Sequence, residues 1–354
     1  MEIDSIVSAS KRVFNDCFLE NGAVIAANTD KSYYPSSVAN YRFVWPRDAA
    51  FALYAAKLIG IDFYGNFAKW LLERAESFAK TGLLMQRYAT NGAKDVFFGY
   101  QYQPDQTGAL LWSFLSYLGS AGKKNSNIEA AVKLMADSLV DMWQKDHFKI
   151  TTYDLWEERK TIPWLKGNFI YTLASCSYGL LLAYEKYKNK KWLKAGNEMK
   201  KIIKDAEKKY NYYPRLYGMI EDKRIDASLL ALAWPFSITN NMKMVRSTIK
   251  EIEKKLIGKK GIKRYEHDEY CSNIENGSLW KKQAGAWPLL MFWYVIALSK
   301  TGEKKKARKV FLEYVRNFGG YIPEQLFENK IQESVNGLLW SHAMFIIALK
   351  ELGF

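Results

Sequence analysis

The feature that most constrains this chain is a rhythm. Apolar helical stretches rich in small residues begin near Asp48, Thr107, Ile170, Asp226, Ala284 and Gly337. The steps between them are roughly 59, 63, 56, 58 and 53 residues, the mark of one supersecondary unit used repeatedly. DAAFALYAAKLIG and AGAWPLLMFWYVIALS are typical, apolar on nearly every side, and such helices have to be buried. Charged stretches with apolar residues at helical spacing alternate with them: Ile6–Leu19, Phe63–Ala79, Ile128–Gln144, Trp192–Glu207, Met242–Leu256 and Lys304–Phe318. A helix with one charged face has to lie outside. The alternation therefore predicts about twelve helices in an all-α fold, an inner ring wrapped by an outer ring. This is an (α/α)6 barrel of six hairpins. An open solenoid of helix pairs is the alternative, but its units are usually shorter than about fifty residues. No Pro/Ser-rich linker or shift of composition divides the chain, so residues 1–354 read as a single domain. With 49% hydrophobic residues it has enough apolar surface for one large core. Strand signals are confined to loops such as Leu84–Thr90 and Phe148–Tyr153.

Composition removes several classes. Net charge is +15, which raises the question of nucleic acid. The Lys residues sit in runs such as Lys200-Lys201, Lys208-Lys209, Lys254-Lys255 and Lys304-Lys305-Lys306, on amphipathic helices or beside Gly turns. They read as a solvated outer face, and no nucleic-acid partner is expected. Cys17, Cys176 and Cys271 are scattered and odd in number, which argues against a disulfide framework and for a reducing, cytoplasmic setting. His147, His267 and His342 show no zinc-ligand spacing, and no calcium-type cluster of Asp and Asn is present, so neither metal nor cofactor is expected. The N-terminus is not a signal peptide, and no uncharged apolar run approaches the eighteen or so residues that span a bilayer, so no membrane association is expected. Oligomeric state is not legible.

The unusual residues collect in loops that lead into the apolar helices, and in a barrel those loops share one mouth. Tyr153-Asp154-Leu155-Trp156-Glu157-Glu158 opens the third. A large aromatic beside a carboxyl lowers the local dielectric and favours a protonated acid near neutral pH. That is what a general acid needs to protonate a leaving oxygen. Taken alone, the same residues fit an ordinary acidic helix start. Across the ring, Glu324 follows Pro323 before the last apolar helix; its bland reading is a surface Glu. A paired acid and base on such a mouth suit glycoside hydrolysis, which by inversion needs carboxyls roughly 6.5–9.5 Å apart. A funnel of Trp, Tyr, Arg and carboxylates suits neutral polyols, rings stacking on sugar faces and Arg or Asp holding hydroxyls.

Five segments in order, from about Tyr41 to the C-terminus, carry a family resemblance. Trp45-Pro46-Arg47-Asp48, Asp154-Leu155-Trp156-Glu157-Glu158, Arg264-Tyr265-x-x-Asp268-x-Tyr270, Pro323-Glu324-Gln325 and Leu339-Trp340-Ser341-His342-Ala343 resemble the glucoamylase-type glycoside hydrolases, family fifteen. The resemblance implies the same (α/α)6 barrel. It implies Glu157 as general acid and Glu324 as general base, with inversion and release of β-glucose. It implies Arg47, Asp48 and Arg264 as ligands of sugar hydroxyls, Glu158 as a supporting carboxylate, and Trp45 and Trp156 as subsite walls. Asp268 joins the substrate-binding set, either on the sugar or orienting Arg264. Gln103 and Trp280 are weaker candidates, and His342 reads as core. The stretch Gln103-Pro-Asp-Gln-Thr-Gly108 fits the family's Gln-x-Asp-x-x-Gly loop loosely. Neither an N-terminal β-sandwich nor a starch-binding module is read in the chain. The expected substrate is an α-glucan or maltooligosaccharide cut from its non-reducing end, with trehalose, isomaltose or dextran as alternatives. A non-catalytic sugar-binding barrel is the reading from another class, and it leaves the paired acid and base without a use.

Overall fold

The computed structural model describes residues 2–98, 100–121, 124–270, 284–329 and 331–354. Twelve α-helices are found among them: α1 (Glu2–Cys17), α2 (Pro46–Leu58), α3 (Tyr64–Glu73), α4 (Phe78–Thr81), α5 (Pro104–Ala121), α6 (Ser126–Met142), α7 (Ile170–Tyr187), α8 (Lys190–Lys209), α9 (Met242–Leu256), α10 (Pro288–Lys300), α11 (Lys304–Tyr314) and α12 (Leu339–Glu351). The apolar segments form a closed ring. In it α2 packs on α5, α5 on α7, α7 on a 3-10 segment (Ala227–Leu232), that segment on α10, α10 on α12, and α12 back on α2. The amphipathic helices lie outside: α1 against α12, α6 against α5 and α7, α8 against α7, α9 against the 3-10 segment, α11 against α10. This is the (α/α)6 barrel that the periodicity predicts.

Burial follows the sequence pattern. Every residue of α10 from Pro288 to Ser299 is buried, whereas α8 buries a single stripe of Trp192, Ala195, Gly196, Met199, Ile203 and Ala206. The inner helices carry small residues because they have to approach closely. A Cβ on Gly108 of α5 would lie 2.3 Å from the Ser175 carbonyl carbon of α7, so only glycine fits there. Aromatic rings fill the middle of the barrel. Phe51 sits 5.3 Å from Trp112, 5.4 Å from Trp293 and 5.4 Å from Trp340, centroid to centroid. Each such buried ring contributes about 2–3 kcal/mol of burial, and together they close the barrel into a floor.

Three local expectations are corrected. The fourth inner helix, expected from Asp226, is a short 3-10 turn ending at Leu232, and Pro235 is the reason: it has no N–H to give and disfavours helical backbone at Trp234. The second outer helix breaks after Glu73 and resumes only for Phe78–Thr81, with Ser77 in the left-handed region at φ 66°. The Tyr153–Glu158 stretch is no helix start. It is the turn of a two-stranded ribbon, Thr152–Tyr153 against Lys160–Thr161.

The loops at the N-terminal ends of the inner segments are stitched into a rim by backbone hydrogen bonds. Val44 pairs with Tyr88, and Met85 with Tyr102. The Tyr153 N–H donates to Tyr102, and the Ile170 N–H to Arg215. Asp226 pairs with Tyr265, and Ala286 with Leu326. The Leu339 N–H reaches Ala26, whose own N–H reaches Phe43 and closes the circle. Among the described residues no helix is long and apolar enough to cross a membrane.

Candidate active site

Pro46 opens α2 at its first position, where its missing N–H costs nothing, and this puts Trp45 just outside the helix with Arg47 and Asp48 in its first turn. The Trp45 indole N–H donates to Glu157 Oε1 at 2.7 Å. Its ring lies 5.4 Å from that of Tyr41, whose hydroxyl donates to Glu324 Oε1 at 2.8 Å. Two aromatic side chains thus link the loop before α7 to the loop before α12, with one candidate carboxyl at each end of the link.

Glu157 has three donors. Besides Trp45, the Arg47 guanidinium stands 3.4 Å from Oε1, and the Gln86 amide donates to Oε2. The residue adopts a left-handed backbone, φ 67°, which a non-glycine residue holds only where its surroundings impose it. Its side chain is 24% exposed. Burial raises its carboxyl above the ordinary 4.5, while Arg47, the Trp45 N–H and Arg87 pull the other way.

Glu324 is more enclosed, 5% exposed. Burial pushes its carboxyl from 4.5 up to about 7, against the Tyr41 hydroxyl and Arg264, and the negative charge of Glu157 adds to the rise. That influence shows that the two carboxyls are near enough to feel one another. The loop holding Glu324 is fastened to the last inner helix. Its N–H reaches the Val335 carbonyl at 2.8 Å, the Ser341 hydroxyl reaches the Pro323 carbonyl at 3.0 Å, and His342 Nε2 accepts the Ile322 N–H at 2.9 Å. His342 is fully buried, and burial lowers it to about 3, so it is neutral, with its proton on Nδ1 towards Ser10 Oγ at 2.8 Å. It is a core residue, as expected, and also an anchor for the Glu324 loop.

Arg47 and Asp48 are both buried and lie 3.6 Å apart, but Arg47 Nε and Asp48 Oδ1 have no hydrogen-bond partner among the described residues. Burial pushes Asp48 up to about 7, opposed by Arg47 and assisted by Glu157, Glu324 and Asp105. Burial works against the charge on Arg47, and Asp105, Asp48 and Glu157 more than offset it. Orphan polar atoms in a buried site are costly and call for a partner. The Trp287 and Trp340 indole N–H groups and Gln325 Oε1 are orphaned in the same sense. Trp340 lies beneath Arg47, 5.3 Å from its guanidinium, and Trp287 lies 5.3 Å from that of Arg264.

Arg264 is ringed by aromatics and carboxylates. It pairs with Glu158 Oε1 at 2.5 Å and is gripped by both oxygens of Asp268 at 2.7 and 2.8 Å. Burial opposes its charge, but Asp268 and Glu158 hold it protonated. Asp268, 1% exposed, also accepts the Tyr270 N–H, so both of its oxygens are engaged by protein donors. Glu158 takes Arg264 and the Tyr265 hydroxyl, a supporting position. Trp156 is buried, donates its indole N–H to Asp226 at 3.1 Å, and meets Trp287 edge-on at 5.6 Å.

Gln103 does not line the funnel. Fully buried, it donates to the Asp154 carbonyl at 2.6 Å and accepts from Gln106, whose side-chain oxygen takes the Arg47 N–H at 3.1 Å. Trp280 and Cys271 lie outside the described residues. The sequence reading did not single out Tyr41, Gln86, Asp105, Gln106, Arg215 or Trp287 as site residues. Tyr41 stood at the start of the family resemblance, Asp105 and Gln106 inside the loose Gln-x-Asp-x-x-Gly match and Trp287 inside an apolar inner segment, while Gln86 and Arg215 carried no local signal. Among the described residues no group of three or more His, Cys, Asp or Glu is placed to hold a metal ion.

The family model described as Glycosyl hydrolases family 15 matches residues 72–336. The chain belongs to that family. Among curated relatives, an uncharacterized glycosyl hydrolase of Methanocaldococcus jannaschii is 27% identical over 98% of this chain and 56% of its own length. A trehalase of Thermoplasma volcanium is 25% identical over 90% of this chain and 54% of its own. The family-15 chain therefore spans about half the length of these relatives. A solved glycosidase superposes with a TM-score of 0.81 at 18% identity, covering 99% of this chain and 98% of that one, so the ring architecture is common to both.

Proposed function

We propose that this chain is the catalytic barrel of an exo-acting, inverting α-glucosidase, with Glu157 as general acid and Glu324 as general base. The observation that carries the reading is the pair itself: two carboxyls raised by burial and linked through Trp45 and Tyr41. In the productive form Glu157 is protonated and Glu324 is ionised. Glu157 gives that proton to the glycosidic oxygen as the bond to the anomeric carbon breaks. Glu324 takes a proton from a water that attacks the opposite face, so an α-linked glucose leaves as the β-anomer. The proton gained by Glu324 and lost by Glu157 then re-equilibrates through solvent. Arg47, Asp48 and Arg264 present charge to the hydroxyls of the terminal glucose, which completes the orphan atoms of the first two. Trp45, Trp156, Trp287 and Trp340 supply flat apolar walls.

Maltooligosaccharides are the leading substrate class. Trehalose is the second reading, favoured by the relative named as a trehalase. The test is incubation with maltose, maltotriose, isomaltose and trehalose followed by sugar analysis, for wild type and for Glu157→Gln and Glu324→Gln. Either substitution is expected to lower turnover by at least 10²–10⁴-fold with the fold intact. Near-normal rates in either variant, or no glucose from any of the four sugars, would remove the reading.

A further inference from the structure

The acid loop depends on a group outside the funnel. Glu157 sits in a left-handed backbone conformation that its own sequence, Asp-Leu-Trp-Glu-Glu, does nothing to favour. Asp154 holds it from behind. Its carbonyl accepts the Glu157 N–H at 3.1 Å, and its Oδ1 accepts the N–H groups of Glu158 and Arg159 at 3.0 Å each. Asp226 holds the neighbouring Trp156 by its indole N–H. One side chain joins the two carboxylates. Arg215, 3% exposed, donates to Asp154 Oδ2, stands 3.1 Å from Asp226 Oδ2, and lies with its guanidinium 3.9 Å from the centre of the Tyr265 ring. The Tyr265 hydroxyl in turn holds Glu158. Three holders of the Asp154–Glu158 turn therefore converge on one guanidinium. The guanidinium lies between the two carboxylates, hydrogen-bonded to Asp154 through Nη2 and in ionic contact with Asp226 through Nε, and a lysine ammonium cannot copy that planar placement.

We propose that Arg215 is the positioning residue of the general acid: it fixes the Glu157 turn through Asp154 and Asp226 so that the carboxyl meets the glycosidic oxygen. This rests on Glu157 being the acid, and the experiment separates the two claims. Protonation of the leaving group matters for a sugar alcohol and matters little for fluoride, which departs as an anion. Arg215→Lys is therefore assayed on α-D-glucosyl fluoride and on whichever of maltose, isomaltose or trehalose turns over fastest, beside Glu157→Gln. A displaced acid costs on the order of 10–10²-fold on the disaccharide, and the fluoride:disaccharide ratio of kcat/KM is expected to rise about tenfold or more. That ratio does not depend on how much enzyme is folded, so partial loss of structure does not mask it. Asp226→Asn, which keeps an oxygen for Trp156 but removes the charge facing Arg215, is expected to move the ratio the same way. Parallel losses on both substrates in both Arg215→Lys and Asp226→Asn would overturn the positioning role and leave Arg215 as a structural ion pair. An unchanged ratio in Glu157→Gln would instead overturn the assignment of the acid.

Discussion

Removing one hydroxyl should move the acidic limb of the pH profile. Tyr41 donates to Glu324 Oε1 at 2.8 Å, and this bond favours the ionised carboxyl, which burial otherwise pushes up to about 7. Tyr41→Phe deletes that donor and, with it, only a longer contact of 3.3 Å to the Tyr270 hydroxyl. A hydrogen bond to a charged acceptor is worth about 1.5–3 kcal/mol, and a unit of pKa is about 1.4 kcal/mol, so Glu324 should rise by about 1–2 units. The sign follows from the role. A general base works only when ionised, so raising its pKa moves the acidic limb of kcat/KM to higher pH. Below the limb the rate falls about tenfold per pH unit, so at a fixed acidic pH the variant should be about 10–100-fold slower. On the basic side, where the rate is set by the proton left on Glu157, the variant should approach wild type within a few-fold, and the maximum between the two limbs should fall. The assay is initial rate of glucose release at subsaturating disaccharide across pH, for both proteins. A limb displaced by less than about 0.3 unit, or a loss independent of pH, would refute the reasoning that ties Tyr41 to the ionisation of Glu324.

Other outcomes follow from the same contacts. His342→Leu removes the acceptor of the Ile322 N–H and is expected to lower kcat about tenfold with KM little changed, while His342→Gln, whose oxygen reaches the same N–H, should recover most of it; steady-state kinetics decides. Glu324→Gln should stabilise the protein at high pH and not at low pH. The folded Glu324 titrates at about 7 against an ordinary 4.5, so the native state loses stability as pH rises through that window and regains it on acidification. The gain in the variant is on the order of 3 kcal/mol above the window and near zero below it, read as Tm difference against pH. A Tm difference that is the same at pH 4 and pH 8 would contradict the buried-carboxylate account.

The ring was legible because burial leaves a simple mark on sequence: α10 is apolar on every side and α8 on one stripe, and that contrast alone sorts inner from outer. Where a single residue overrides the pattern, the reading failed. Pro235 shortens the fourth inner segment to a 3-10 turn although DASLLALAW reads as helix. The Tyr153–Glu158 turn carries no glycine to announce its left-handed residue; the hold on Glu157 comes from Asp154 and, through it, from Arg215, some sixty positions later in the chain. Gln86 and Arg215 gave no local signal because each acts by meeting residues from another loop. The rim of backbone pairs that brings those loops together is a property of the closed ring, not of any one segment.

The account turns on inversion by two carboxyls. Time-resolved proton NMR of the sugar released from an α-glucoside, recorded before mutarotation, tests that most directly. β-Glucose as the first product is the predicted result. α-Glucose as the first product would mean retention and a covalent intermediate, and would contradict the roles given to Glu157 and Glu324.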